Sequence, residues 1–127
     1  MKKNNLTQGQ HLTEVIFEFR PVSNISIYKA QEFLTNTVKL LKVEETHRYV
    51  NNLPPGFDIL CGLKESCLYF GYWPEHQYIR FMASSCKAFN YNEIEKYIKK
   101  YFKTNKKIHV TVNSDESIKE KLARLWC

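Results

Sequence analysis

The side chains best able to do chemistry are gathered in one stretch, Glu65-Ser66-Cys67-Leu68-Tyr69-Phe70-Gly71-Tyr72-Trp73-Pro74-Glu75, with Cys86 following 20 residues after Ser66. A hydroxyl and a thiol stand side by side behind a carboxylate, and a second carboxylate closes the stretch. Hydroxyls and thiols act as nucleophiles or proton carriers when a neighbour can take the proton. A thiol with an ordinary pKa of about 8.5 is mostly protonated near neutrality and can still give that proton up. Taken singly, each residue has a plainer reading. Cys86 alone is a small buried hydrophobe, Glu75 a solvated turn residue after Pro74, Tyr49 a core tyrosine and Trp73 a packing residue.

The elements that must position this stretch can be read from its flanks. Residues 11–20 alternate at their end, with Val15, Phe17 and Phe19 against Ile16, Glu18 and Arg20, which predicts a strand stopped by Pro21. Ile27, Ala30, Leu34, Val38 and Leu41 recur at spacings of three and four, predicting a helix over 26–42 with Ser26 as N-cap. A strand is expected over 43–50, then a turn in Asn51-Asn52-Leu53-Pro54-Pro55-Gly56. Three short runs follow at 57–63, 66–73 and 77–85, rich in aromatic and β-branched residues. Their short links, Gly62-Leu63-Lys64-Glu65 and Pro74-Glu75-His76, favour an antiparallel meander. Asn90 with Glu93 opens a second helix that runs to about Lys103, Ile108–Val112 reads as a strand, and Ser114 caps a last helix carrying Ile118, Leu122, Leu125 and Trp126. The expected fold is α+β, a two-layer sandwich of a largely antiparallel sheet with helices packed on one face.

Length and composition narrow the function classes. At 127 residues the chain reads as one domain, 1–127, with enough core to fold unaided. Apolar residues at 43% and charged residues at 25% place it among folded globular chains. No apolar run nears the roughly 20 residues that cross a bilayer, and Met1-Lys2-Lys3-Asn4-Asn5 is not a signal core, so no membrane role and a cytoplasmic location are expected. Cysteines 61, 67, 86 and 127 contain no Cys-x-x-Cys pair and read as reduced thiols. Histidines 11, 47, 76 and 109 give no i, i+4 pair, so no metal is expected. The net charge of +6 leans on Lys96, Lys99, Lys100, Lys103, Lys106 and Lys107, which read as a solvated helix face. A small basic nucleic-acid binder would rest on that stripe alone, and a nucleic-acid partner is not expected.

The stretch resembles the self-cleavage segment of the bacterial S-adenosylmethionine decarboxylases. In that family it reads Glu-Ser-His-(three residues)-His-Thr-Trp-Pro-Glu, with a later cysteine in a Phe-Thr-Cys strand. Glu65-Ser66, Trp73-Pro74-Glu75 and Cys86 fall in register with it without a gap. Gly9-Gln10-His11-Leu12 is similar to the family's Gly-x-His-Leu opening, His47-Arg48-Tyr49 to its His-(Arg/Lys)-Phe strand, and Gly56-Phe57-Asp58 falls where the family has Gly-Val-Ser. The likeness covers roughly residues 9–112.

The resemblance implies a pyruvoyl-dependent decarboxylase of S-adenosylmethionine, acting in polyamine (spermidine) biosynthesis as a homodimer with two sites near the subunit interface. Decarboxylating an α-amino acid needs an electron sink that no standard side chain supplies. In the family the chain makes its own, so Ser66 would attack the Glu65 carbonyl and become a pyruvoyl group, with no pyridoxal phosphate and no metal. The substrate amine would join it as a Schiff base, Cys86 would be the proton donor, Glu75 would hold the ribose hydroxyls with its two acceptor oxygens, and Tyr49 would stack on adenine, while Trp73, in the same substrate-binding set, reads as packing more than chemistry. Three positions depart from the family. Gly71 replaces the histidine five residues after the serine, Asp58 the processing serine, and Cys67 the histidine next to Ser66. They leave two other readings open. One is an uncleaved, inactive paralogue that binds a nucleoside-like metabolite or regulates a partner subunit. The other is a decarboxylase of another amino acid such as ornithine or arginine.

Overall fold

The structure is a computed structural model, and it describes residues 13–85, 89–104 and 107–113. Among these the order is β1 (Thr13–Phe19), α1 (Ile27–Leu41), β2 (Glu45–Leu53), β3 (Gly56–Leu63), β4 (Ser66–Trp73), a single 3-10 turn (Pro74–His76), β5 (Tyr78–Ser85), α2 (Tyr91–Phe102) and β6 (His109–Asn113). One sheet runs β2-β3-β4-β5-β1-β6, and each neighbouring pair is antiparallel. This is the α+β sandwich expected from the alternation and the helical stripes. The opening motif with His11, the residues Cys86 and Lys106, and the helix expected after Ser114 lie outside the described residues.

Both helices begin at the caps that the sequence offers. The Ser26 Oγ accepts from the Lys29 N–H at 3.0 Å and the Asn90 Oδ1 from the Asn92 N–H at 3.0 Å, each satisfying an amide that the first turn cannot. Two turns are shorter than the composition implies. Asn51, Asn52 and Leu53 pair with Asp58, Phe57 and Gly56, so β2 continues to the Pro54-Pro55 link. In the same way Gly62 and Leu63 belong to β3, leaving Lys64-Glu65 as the turn into β4. Turn-forming residue types here sit inside a ladder because the two-residue links themselves fix the register.

The period of two then separates the faces of the sheet. Val15, Phe17, Phe19, Ile59, Cys61, Leu68, Phe70, Ile79 and Phe81 are buried towards the helices. Phe33 of α1 sits at the centre of the layer, its ring 5.0–5.8 Å from those of Phe70, Phe81, Tyr97, Tyr101 and Phe102. Polar ties fix the helices in place: Asn36 Nδ2 donates to the Tyr97 hydroxyl at 2.7 Å, and the Tyr101 hydroxyl donates to the Lys29 carbonyl at 3.1 Å. Arg48 forks onto Glu45 at 2.6 and 2.7 Å and reaches the Gln31 carbonyl at 3.2 Å, which anchors β2 to α1. The lysines of α2 that are described are exposed, as a solvated face requires.

The opposite face carries no helix among the described residues. Alternation places His47, Tyr49, Asp58, Leu60, Cys67, Tyr69, Trp73 and Arg80 there, and Tyr49 is 60% exposed, so it is no core tyrosine.

Candidate functional site

The Glu65–Ser66 peptide lies at the mouth of the β3–β4 turn. Leu63 pairs with Ser66 across it, and Glu65 holds a φ of 68°, in the left-handed region. That conformation costs a residue with a Cβ roughly 1–2 kcal/mol, and here the strain sits on the residue whose carbonyl Ser66 would attack. The Lys64 N–H donates to the Glu44 carbonyl at 2.9 Å and pins the turn to the start of β2. On the helix side, a cavity of about 120 Å³ opens beside Ser66, lined by Lys42, Val43, Leu63, Ser85 and Phe89 among others. Ser66 pairs directly with Ser85 of β5, the last described residue before Cys86.

On the open face a groove of about 480 Å³ runs past the same peptide and includes His47, Gly62, Glu65, Ser66 and Cys67. Gly62 is there for steric reasons. A Cβ on it would meet three ring atoms of His47 at 2.2–2.8 Å, so the missing side chain lets the imidazole lie flat on the sheet. The Tyr49 ring packs edge-on to the imidazole, with the ring centres 5.1 Å apart. Cys67 is the β4 partner of Gly62, one strand beyond the imidazole. Its thiol is pushed up, first by burial and then by the charge of Glu14 on the same face, so it stays protonated.

The upper end of β4 holds a second polar group. Asp58 pairs with Gly71 and accepts from Asn51 Nδ2 at 2.8 Å and from the Tyr69 hydroxyl at 3.2 Å. Burial, then the neighbouring Asp58 charge, push the Tyr69 phenol up to about 12. A Cβ at Gly71 would lie 2.6–2.7 Å from the far edge of the Trp73 ring and from the Tyr69 hydroxyl. The volume that a side chain at 71 needs is therefore filled by Trp73 folding back from two residues along the same face. The Trp73 ring packs 5.5 Å from that of Tyr78, whose hydroxyl donates to Glu18. Glu75 sits in the 3-10 turn immediately above.

These positions do not converge within one chain. From Ser66 to Gly71 is five residues of strand, about 17 Å at 3.3–3.4 Å per residue, and Trp73 and Glu75 lie further still. The odd spacing also turns residue 71 to the face opposite the Ser66 side chain. The structure thus gathers Glu65, Ser66, Cys67 and His47 at one end of β4, and Asp58, Tyr69, Gly71, Trp73 and Glu75 at the other. The placement of His47 was not read from the sequence, where it appears only as part of a motif. Its signal was Gly62, an unexplained glycine inside a strand.

Comparison with known proteins follows the same line. A family model described as S-adenosylmethionine decarboxylase matches residues 14–114. The crystal structure of the adenosylmethionine decarboxylase from Aquifex aeolicus VF5 superposes with a TM-score of 0.69 at 16% identity, covering 81% of this chain and 88% of that one. No curated protein sequence matches.

Proposed function

Because the chain belongs to the S-adenosylmethionine decarboxylase family, we propose that it cuts itself between Glu65 and Ser66 and decarboxylates S-adenosylmethionine to supply an aminopropyl donor for spermidine synthesis. The observation that carries this reading is the Glu65–Ser66 peptide itself. It lies inside the matched span, its leading residue is held at φ 68°, and a cavity opens beside the serine. Those features fit a pyruvoyl group derived from Ser66. Such a carbonyl supplies the electron sink that decarboxylation requires.

The chain's own residues would do the rest. Cys86 would place a proton on the α-carbon that loses carboxylate, and it follows Ser85, the direct partner of Ser66. Glu75 would accept hydrogen bonds from the ribose diol, and Tyr49 and Trp73 would offer flat rings to the adenine. One sheet holds the reacting serine at one end of β4 and Trp73 and Glu75 at the other, with Tyr49 packed on His47 nearer the serine. A complete site then requires a second copy, whose open face brings its upper end to the first copy's Ser66. Tyr49, Leu53 and Leu60, exposed on the face that no described helix covers, support a homodimer built in this way.

The test is release of carbon dioxide from carboxyl-labelled S-adenosylmethionine, ornithine and arginine, with Ser66→Ala as control. Release from S-adenosylmethionine that disappears in the control is expected. Release from ornithine or arginine instead would move the substrate, and silence across the panel would end the enzyme reading. The second reading, an uncleaved binding or regulatory paralogue, is favoured by one feature. Asp58, in place of the family's processing serine, is already engaged by Asn51 and Tyr69.

A further inference from the structure

We infer that His47 is the base that takes the α-proton of Ser66 when the chain is cut. This rests on the self-cleavage reading above and assigns a residue to its proton transfer. The histidine that the family keeps at position 71 is replaced here by Gly71, which carries no side chain to take a proton in either copy. The cut must therefore find its base elsewhere, and three observations lead to His47.

The first is its tautomer. Thr46 Oγ1 lies 3.0 Å from the Gly62 carbonyl oxygen and 3.0 Å from His47 Nδ1. A carbonyl only accepts, so the single hydroxyl proton goes to Gly62, and Nδ1 must carry the hydrogen that completes the second bond. Nε2 is then left with its lone pair, and among the described residues nothing donates to it. The second is its position. Nε2 lies 2.4 Å from where a Gly62 Cβ would be. Ser66 Cα is one strand spacing and one residue from the Gly62 Cα, about 6 Å, and Ser66 and His47 line the same groove. The third is its face. The Ser66 side chain points towards the helices with Leu68 and Phe70, whereas the imidazole lies on the open side.

That disposition suits the elimination that severs the chain. Ser66 Oγ first adds to the Glu65 carbonyl carbon. Its proton passes to the Ser66 nitrogen as the C–N bond breaks, leaving an ester. His47 Nε2 then removes the Ser66 Cα proton. The C–H electrons form the Cα=Cβ bond as the Cβ–Oγ bond breaks, and Glu65 leaves as a carboxylate. The base thus stands on the face of the sheet away from the Ser66 side chain. The imidazolium returns its proton to Cβ as the enamine becomes an imine, and water replaces the nitrogen as ammonia. Cys67 shares the groove but stays protonated, so it is no rival base.

Intact-mass time courses of wild type, His47→Gln and His47→Gly decide the matter. Wild type is expected to split. His47→Gln should split roughly 100-fold or more slowly, the scale of a lost general base, and should accumulate full-length chain that hydroxylamine cuts between residues 65 and 66, the mark of an ester. Added imidazole should restore splitting to His47→Gly, which a purely structural loss would not allow. Wild-type splitting with His47→Gln equally fast overturns the inference alone, as does a stalled His47→Gly that imidazole leaves unchanged. A wild type that never splits overturns the cleavage reading and the inference with it.

Discussion

Replacing Gly71 by alanine measures how far the upper end of β4 has been rebuilt around a missing side chain. The new Cβ would sit 2.6–2.7 Å from the Trp73 ring and the Tyr69 hydroxyl, closer than such atoms pack, so both must move. Lifting the edge of the indole unpacks the equivalent of about one buried ring carbon, roughly 1 kcal/mol at about 0.8 kcal/mol per buried CH₂. Turning the phenol away from Asp58 costs about another 1 kcal/mol. Relief of glycine's backbone entropy returns roughly 0.5 kcal/mol, for a net loss of about 1.5 kcal/mol. In a Trp73→Ala, Tyr69→Phe background neither obstacle remains, and the same substitution should be neutral or stabilising by about 0.5 kcal/mol. Urea denaturation at one fixed protein concentration, with unchanged m-values, reads the difference. A cost that is equal in the two backgrounds within about 0.3 kcal/mol would refute the reasoning, because neighbours that share one volume cannot be additive.

Phe33→Ala removes the ring around which five others pack and should cost about 3–5 kcal/mol by the same denaturation measurement. Tyr69 and Tyr78 both have phenols pushed up to about 12, chiefly by burial and by the neighbouring carboxylates Asp58 and Glu18. Their folded pKa values exceed the unfolded value near 10, so above pH 10 the unfolded chain loses these protons first. Stability from these groups is therefore present below about pH 10 and lost as the pH rises to about 12. A melting-temperature profile over that window should fall, and should fall less steeply when both tyrosines are changed to phenylalanine, with Tyr101, raised by burial and Glu32, keeping part of the slope.

Much of this architecture was legible because it rests on periodicity. The three-and-four spacing from Ile27 to Leu41, with Ser26 before it, marks α1 at both ends. Alternation of Val15, Phe17 and Phe19 does the same for β1. The turns were less legible, since Asn51 and Asn52 are turn residues by type and become strand residues only through their partners in β3. The site was legible as a motif and not as a geometry. Nothing in Glu65-Ser66 announces a left-handed residue, because a two-residue link imposes it. The glycines at 71 and 62 have a shared logic that contacts alone reveal. In each case a glycine in a strand admits an aromatic ring from a neighbour, Trp73 over Gly71 and His47 over Gly62. A histidine in a polar edge strand has no periodic partner to betray it. Whether Ser66 and Glu75 could meet was readable in outline, because nine residues that include a full strand cannot fold back on themselves.

Self-cleavage at the Glu65–Ser66 bond is the central claim, and the intact mass of the purified protein under denaturing conditions tests it most directly. The account predicts two fragments, residues 1–65 and 66–127, the second lacking a free amino terminus. A single full-length species that persists through long incubation would contradict it.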